Sequence, residues 1–194
     1  MSRFDETLRA HRAAVDAVGA RAEQVIAAAQ RIAACLEAGG TVYWLGNGGS
    51  AADSQHLAAE LVGRFEGADR RGLASVALTT DTSVLTSVAN DFGFEQVFAR
   101  QIRALCRPGD VVVAISTSGG SANVLAAADA ARAAGAYTIG LCGSDGGELA
   151  RRADIAIVVP VSSPARAQEA HILIGHIWCD YVDARVREGS NDET

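Results

Sequence analysis

The sequence Ser116-Thr117-Ser118-Gly119-Gly120-Ser121, here named the serine turn, combines four hydroxyl side chains with two glycines. It follows the apolar run 111–115 and precedes an alanine-rich segment, residues 123–134, of helical composition. This predicts a turn between the carboxyl end of a buried strand and a helix start, where open α/β sheets bind ligands. The free N–H groups and positive dipole end of a helix start favour a phosphate. The alternative is an ordinary helix cap, because Ser and Thr cap helices routinely.

A second turn of this kind occurs earlier in the chain. Gly46-Asn47-Gly48-Gly49-Ser50, the glycine turn, lies between a strand-like segment, residues 41–45, and residues 51–62, which have helical character. Glycine lets the backbone approach a ligand closely and adopt positive φ. One such turn is common in α/β proteins, but two in one short chain, each with serine, strengthen the prediction of a phosphate site.

Strand and helix patterns alternate along the rest of the chain. Strands are predicted at residues 41–45, 74–78, 111–115, 137–142 and 155–159, and the last helix at residues 165–187. The alternation predicts an α/β fold, a three-layer α/β/α sandwich with a central five-stranded parallel sheet. With no linker visible, residues 1–194 are predicted to form a single domain.

The two ends of the chain differ from this pattern. Residues 1–38 are predicted to be a helical arm, a long N-terminal helix bent near Gly19, which packs either against another subunit or on its own domain. The polar residues 188–194 are predicted to be a flexible tail.

Composition excludes several classes of function. The net charge of −6 argues against a nucleic-acid surface, and no apolar stretch is long enough for a membrane span. The acidic first residues contain no apolar signal segment, and the four cysteines are far apart, so we expect a cytoplasmic protein with reduced core thiols. All 17 basic residues are arginine, which excludes Schiff-base chemistry and a P-loop lysine.

Two pairs of residues are candidates for metal binding or proton transfer. His56 and Glu60 are four apart on one helix face, a spacing that suits a divalent metal, proton transfer or a plain surface pair. Gln168 and His176 lie two turns apart on the last helix, where His176 is either functional or a hydrogen-bonded core histidine. Zinc binds His and Glu side chains readily. A sugar phosphate bound at the predicted phosphate site would need, for enolisation, a base near the carbon acid and a group or metal that polarises the carbonyl.

Several separated motifs resemble the phosphoheptose isomerases of the sugar isomerase (SIS) fold. They are Gly46-Asn47-Gly48-Gly49-Ser50-Ala51-Ala52-Asp53-Ser54-Gln55-His56 with Glu60, Leu78-Thr79-Thr80-Asp81, Ala89-Asn90-Asp91, Ser116-Thr117-Ser118-Gly119-x-Ser121 and Gln168-Glu169-x-His171. The resemblance covers roughly residues 1–187. It departs at residues 164–167, where some members carry an acid and this chain has Ala165.

The resemblance implies the interconversion of sedoheptulose 7-phosphate and D-glycero-D-manno-heptose 7-phosphate through an enediol, the first step of nucleotide-activated heptose biosynthesis. It implies Glu60 as the base that moves the carbon proton, His176 as its acid/base partner, and a cytoplasmic homotetramer with active sites at subunit interfaces. The implied zinc ligands, for one Zn²⁺ per subunit, are His56, Glu60, Gln168 and His176. The implied substrate contacts are Asn47, Gly48, Gly49, Glu60, Asn90, Asp91, Ser116, Thr117, Ser118, Ser121 and Gln168.

Two other functions compete with the isomerase. A paralogue of the same fold is a non-catalytic protein that binds the bacterial replication initiator, and it also resembles this chain through the glycine turn. That paralogue lacks the Glu/His pair, whereas Glu60 and His176 are present here. A sugar-phosphate-sensing regulator would need a DNA-binding domain, for which the chain has no spare residues.

Overall fold

The computed structural model describes residues 1–66 and 70–191, and this part of the chain contains a five-stranded sheet. The strands are β1 (Val42–Gly46), β2 (Ser75–Ala77), β3 (Val111–Ser116), β4 (Tyr137–Cys142) and β5 (Ile155–Val158). They pair in parallel in the order β2-β1-β3-β4-β5. Every residue of β1 and β3 is buried, as expected of strands that are covered on both faces.

Helices cover both faces of the sheet. They are α1 (Arg3–Gly19), α2 (Ala22–Glu37), α3 (Gly49–Val62), α4 (Thr82–Phe92), α5 (Val97–Leu105), α6 (Ala122–Ala133), α7 (Gly147–Arg152) and α8 (Pro164–Asn191). Alternate residues of β1 pack to opposite sides: Trp44 faces the core formed with α2, α3 and α8, and Leu45 the core formed with α5 and α6. The predicted three-layer sandwich with a five-stranded parallel sheet is confirmed.

The N-terminal arm consists of two helices, because the chain turns at Ala20 and Arg21, beside the predicted bend at Gly19. The second of them, α2, packs on the sheet of its own domain through a buried face that includes Ile32. The Trp178 indole N–H donates to the Val25 carbonyl (2.9 Å), which ties α2 to α8. Thus α2 packs on its own domain, the second of the two arrangements that the sequence left open.

The remaining differences from the sequence prediction are local. The short helix α7 was not predicted, and Asn90 and Asp91, two of the implied substrate contacts, lie in the last turn of α4. The last helix continues past its predicted end at Arg187 to Asn191, so part of the predicted flexible tail is helical and residues 192–194 lie outside the described residues. No helix in the described part of the chain is long and apolar enough to cross a membrane.

The chain adds β2 on one side of β1 and then adds β3, β4 and β5 on the other side, so the strand order changes direction between β1 and β3. Gly46 at the end of β1 lies in register with Ile115 of β3, so the glycine turn and the serine turn leave the same sheet edge side by side. From there α3 runs to one face of the sheet and α6 to the other. Such a switch point opens a crevice at the carboxyl ends of the strands, where α/β proteins of this kind bind ligands.

Candidate active site

The hydroxyls of the serine turn face one another. Ser116 Oγ lies 3.1 Å from Ser121 Oγ and 3.5 Å from Ser118 Oγ. Ser121 occupies the N-cap position of α6, yet its side chain makes no capping hydrogen bond. The hydroxyl group is therefore not used in the way that an ordinary cap would use it, which favours the ligand-binding interpretation of the turn.

The serine turn is held from behind by the loop before α7. Gly119 has φ +63°, and its carbonyl accepts a hydrogen bond from the Leu149 N–H (2.8 Å). A Cβ atom built on Gly119 would lie 2.0 Å from the Gly146 carbonyl oxygen, and one on Gly147 would lie 2.7 Å from the Ser118 carbonyl oxygen. The backbone of the serine turn therefore contacts the backbone of Gly146 and Gly147 directly, with no room for side chains between them, and this contact fixes the shape of the turn.

The glycine turn contacts both α8 and α6. A Cβ on Gly49 would lie 2.6 Å from Gln168 Oε1, so the Gln168 side chain lies directly against this turn. The side-chain amides of Asn47 and Asn123 exchange two hydrogen bonds of 2.8 Å. The structure therefore places Gly49 and Gln168, two of the predicted substrate contacts, against each other, and it pairs a third, Asn47, with Asn123.

His56, Glu60 and His176 form a cluster between α3 and α8. The two histidine Nε2 atoms are 2.9 Å apart, and His56 Nε2 lies 3.4 Å from Glu60 Oε1. Phe65 stacks on the His176 ring with a centroid distance of 5.5 Å. This convergence distinguishes His56 and Glu60 from a surface pair on one helix, and it gives His176 a polar partner in the same cluster.

A buried ion pair fixes the end of α3 close to this cluster. Arg70 pairs with Asp183 of α8, and both side chains are 2% exposed. Arg70 also donates to the carbonyl oxygens of Glu60 (2.6 Å) and Leu61 (2.8 Å). These carbonyls belong to the last turn of α3, which has no partners within the helix for them. The arginine thus holds the Glu60 backbone to the helix that carries His176.

The donor set of this cluster fits a zinc ion. Zinc prefers imidazole nitrogens and carboxylate oxygens, both of which converge here. Two imidazole nitrogens on one tetrahedral zinc lie roughly 3.3 Å apart, so the observed 2.9 Å between the histidines would have to open slightly. Over residues 1–66 and 70–191, no three His, Cys, Asp or Glu side chains are already spaced for a shared metal.

Asp53 shares the α3 face of His56 and Glu60, seven residues before Glu60. Its Oδ2 atom is buried and has no hydrogen-bond partner among the described residues. Burial raises the pKa of Asp53 to about 6, against the opposing effect of the nearby His56. When it is ionised, this unpartnered carboxylate lowers the free energy of unfolding of the protein.

Replacing Asp53 with asparagine should stabilise the metal-free protein above pH 6. In the unfolded chain Asp53 has the ordinary aspartate pKa of 3.8, whereas burial in the folded protein raises the pKa to about 6. Wild-type stability therefore falls between these pH values and stays lower above them. Urea unfolding should give Asp53→Asn an advantage of about 1 kcal/mol at pH 7, after a discount for partial exposure, and none below pH 4.

Asp16→Asn, which removes an exposed carboxylate from α1, provides the matched control for this comparison. It should leave the unfolding free energy close to that of the wild type at both pH values. An Asp53→Asn protein that is less stable than the wild type at pH 7 would show that the carboxylate has a compensating partner.

Other polar residues lie away from the cluster. Asn90 and Asp91 are exposed on α4, where the Asn90 amide donates to the Asp91 carboxylate (2.8 Å). His171 is fully buried, and burial lowers its pKa to about 4, against the opposing effect of the Cys142 backbone. His171 is therefore a neutral structural histidine. The four cysteines are buried and free, as predicted.

Sequence reasoning missed Asn123, Asp53, and the Arg70–Asp183 pair. Asn123 places a polar side chain on a helix that is largely alanine, and this was the available signal for it. Asp53 lies among other polar residues of α3, such as Ser54 and Gln55, so no local signal distinguished it. Arg70 and Asp183 are 113 residues apart, and no local pattern connects them.

The fold and the site together define a class of sugar-phosphate protein. A family model for the SIS domain matches residues 8–143. A phosphoheptose isomerase from Geotalea daltonii is 51% identical over 180 residues, which cover 92% of this chain and 93% of the relative.

Two solved structures of phosphoheptose isomerases are also similar. The structure from Neisseria gonorrhoeae has a TM-score of 0.84 at 46% identity and covers 93% of this chain and 95% of its own. The structure from Francisella tularensis has a TM-score of 0.86 at 36% identity, with 95% and 100% covered. The chain belongs to the phosphoheptose isomerase family and is an aldose–ketose isomerase.

Proposed function

We propose that this chain interconverts sedoheptulose 7-phosphate and D-glycero-D-manno-heptose 7-phosphate through an enediol, as the first step of nucleotide-activated heptose biosynthesis. The observation that carries the proposal is the convergence of Glu60, His56 and His176 between α8 and α3, the helix that follows the glycine turn, in a fold that places two phosphate-suited turns side by side at the switch point. Family membership supports the same reaction. The presence of both Glu60 and His176 argues against the non-catalytic paralogue that binds the replication initiator.

The phosphate is proposed to bind the serine turn. Its four hydroxyls and the N–H groups at the start of α6 provide neutral donors, and the helix dipole adds favourable charge. Asn47, Gly48 and Gly49 of the glycine turn, Gln168, and Asn90 and Asp91 are proposed to contact the sugar.

Glu60 is proposed to remove the proton from one carbon and return it to its neighbour. The reaction needs one base that reaches both C1 and C2 and a second group that moves protons on the oxygens. Glu60 has a partly exposed carboxylate in the cluster, and His176 is the nearby group suited to the oxygen protons. Without lysine, the chain has no Schiff-base route.

One zinc ion per subunit is proposed to bind His56, Glu60, Gln168 and His176. When bound, it would polarise the carbonyl group of the substrate. Glu60 would then be both ligand and base.

Purified protein prepared without chelator should contain about one zinc per chain by elemental analysis. Added zinc should raise the melting temperature of the stripped protein, because a metal that binds the native state stabilises it. His56→Ala should abolish both effects, whereas His11→Ala, which removes a histidine paired with Glu169 between α1 and α8, should abolish neither. If stripped protein neither takes up zinc nor changes its melting temperature, the proposed zinc site is wrong.

A homotetramer with active sites at subunit interfaces is also proposed, in the cytoplasm. Phe4, Phe92 and Phe94 are exposed, and aromatic side chains are enriched in subunit interfaces. Asn90 and Asp91 are exposed as well, so a neighbouring subunit would provide the rest of their site.

The direct test of the reaction is NMR of purified protein with sedoheptulose 7-phosphate in deuterated water. The expected result is a new aldose signal and deuterium at C1 or C2. If neither appears, with and without added zinc, the proposed reaction is wrong and a binding function gains support.

A further inference from the structure

The amide pair of Asn47 and Asn123 links the two ligand-binding turns. Asn47 Nδ2 donates to Asn123 Oδ1, and Asn123 Nδ2 donates to Asn47 Oδ1, both at 2.8 Å. Asn47 belongs to the glycine turn after β1, and Asn123 lies in the first turn of α6, directly after the serine turn. The pair therefore crosses the floor of the crevice where α3 and α6 diverge.

Asn123 occupies a position that an apolar residue would ordinarily fill. It is 3% exposed, and the rest of the buried face of α6 consists of Val124 and alanines. A buried amide is costly unless it is hydrogen-bonded. Its partner is a residue of the cleft, half-buried Asn47, rather than another core side chain. The two hydrogen bonds to Asn47 therefore account for the polar side chain of Asn123 in this apolar face.

The pair leaves Asn47 able to bind a ligand. An asparagine side chain has two N–H donors and a carbonyl oxygen with two lone pairs. The reciprocal pair uses one donor and one lone pair on each side chain, so Asn47 keeps one of each for a ligand hydroxyl. Two parallel bonds to a buried residue also hold the plane of the Asn47 amide, which a single bond would leave free to turn.

We propose that Asn123 is a positioning residue of the substrate site: it orients Asn47 and fixes the separation of the glycine turn from the serine turn. The part of this inference that concerns substrate binding rests on the proposed function. Asn123 itself touches no substrate, because it is buried and its side-chain amide pairs with Asn47.

Asn123→Asp tests this inference, because it preserves size and removes the donor. At pH 8 the introduced carboxylate faces the Asn47 carbonyl oxygen, and one bond of the pair is lost. The KM for sedoheptulose 7-phosphate should rise about tenfold, equivalent to roughly 1.4 kcal/mol, with a smaller change in kcat. As the pH falls and the carboxyl protonates, the ratio of variant to wild-type KM should fall towards one, because the donor returns.

Ala131→Gly is the matched control for a purely structural effect. It lies on the buried face of the same helix, away from the crevice, and should lower the melting temperature without changing KM. If Asn123→Asp lowers the melting temperature as Ala131→Gly does and leaves KM unchanged at every pH, the inference is wrong.

A crystal structure of Asn123→Leu gives a readout that is independent of activity. The Asn47 side chain should leave the orientation that it has in the wild type, or the two turns should move apart. An unmoved Asn47 would overturn the inference even in an active enzyme. If the wild type does not isomerise the sugar phosphate, the proposed function fails, whereas the crystal structure still decides the role of Asn123.

Discussion

Glu60→Gln should reduce the turnover number by roughly 10²–10⁴-fold, the contribution typical of a general base, while the protein still folds and binds substrate. The amide has nearly the shape of the carboxylate and keeps an oxygen for a metal, but it cannot accept the carbon proton. The Glu60 backbone carbonyl, which accepts from Arg70, is unchanged. The melting temperature and the KM should therefore stay close to those of the wild type.

Deuterium incorporation separates loss of the base from loss of binding. In deuterated water the wild type should introduce deuterium at C1 or C2, and Glu60→Gln should not. Glu37→Gln, at the end of α2 and paired with Arg185, is the control and should retain full activity. A Glu60→Gln enzyme that isomerises at nearly the wild-type rate would remove Glu60 from the mechanism and leave His176 as the better candidate base.

Gly119→Ala should disable phosphate binding in an otherwise folded protein. The added Cβ would lie 2.0 Å from the Gly146 carbonyl oxygen, and the residue would have to keep a φ of +63°. The clash is with backbone, so no side-chain rotation relieves it, and the serine turn has to move. A moved turn loses hydrogen bonds to a charged phosphate, each worth roughly 1.5–3 kcal/mol, so kcat/KM should fall at least a hundredfold.

Gly120→Ala is the matched control, one residue along the same turn. A Cβ at Gly120 would meet no atom closer than Ser118 Oγ at 3.8 Å, and Gly120 has no positive φ. Its kinetics should stay within a few-fold of the wild type. If Gly119→Ala and Gly120→Ala behave alike, the contact between the serine turn and the loop before α7 has no functional importance.

The parts of the fold that sequence predicted well are those with a strong local pattern. Five apolar runs became five strands, and the residues flanking them became helices. The three central strands, β1, β3 and β4, have the strongest runs, because they are buried on both faces. The short helix α7 was missed because Gly143-Ser144-Asp145-Gly146-Gly147, which leads into it, has a loop composition. The helix is held by tertiary contacts of Leu149, whose side chain is buried in the core and whose N–H donates to the Gly119 carbonyl. The break between α1 and α2 was anticipated only as a bend.

Local sequence patterns also identified residues that could take part in the site, but they did not show how these residues contact one another. The sequence alone identified the two turns, the His56–Glu60 spacing and the Gln168–His176 spacing, because each lies within a few helical turns. It could not place His176 against His56, since 120 residues separate them and only the packing of α8 on α3 brings them to 2.9 Å.

The same holds for the contacts that shape the crevice. Asn123 meets Asn47 because β1 and β3 are neighbours in the sheet, and Gly119 must be glycine because the loop after β4 lies against it. The sequence by itself determined the chemical groups of this protein, the strands, through their apolar runs, and the two turns, through their glycine and serine composition. Tertiary structure decided their distances, because strand order and helix packing bring together residues that the chain keeps far apart.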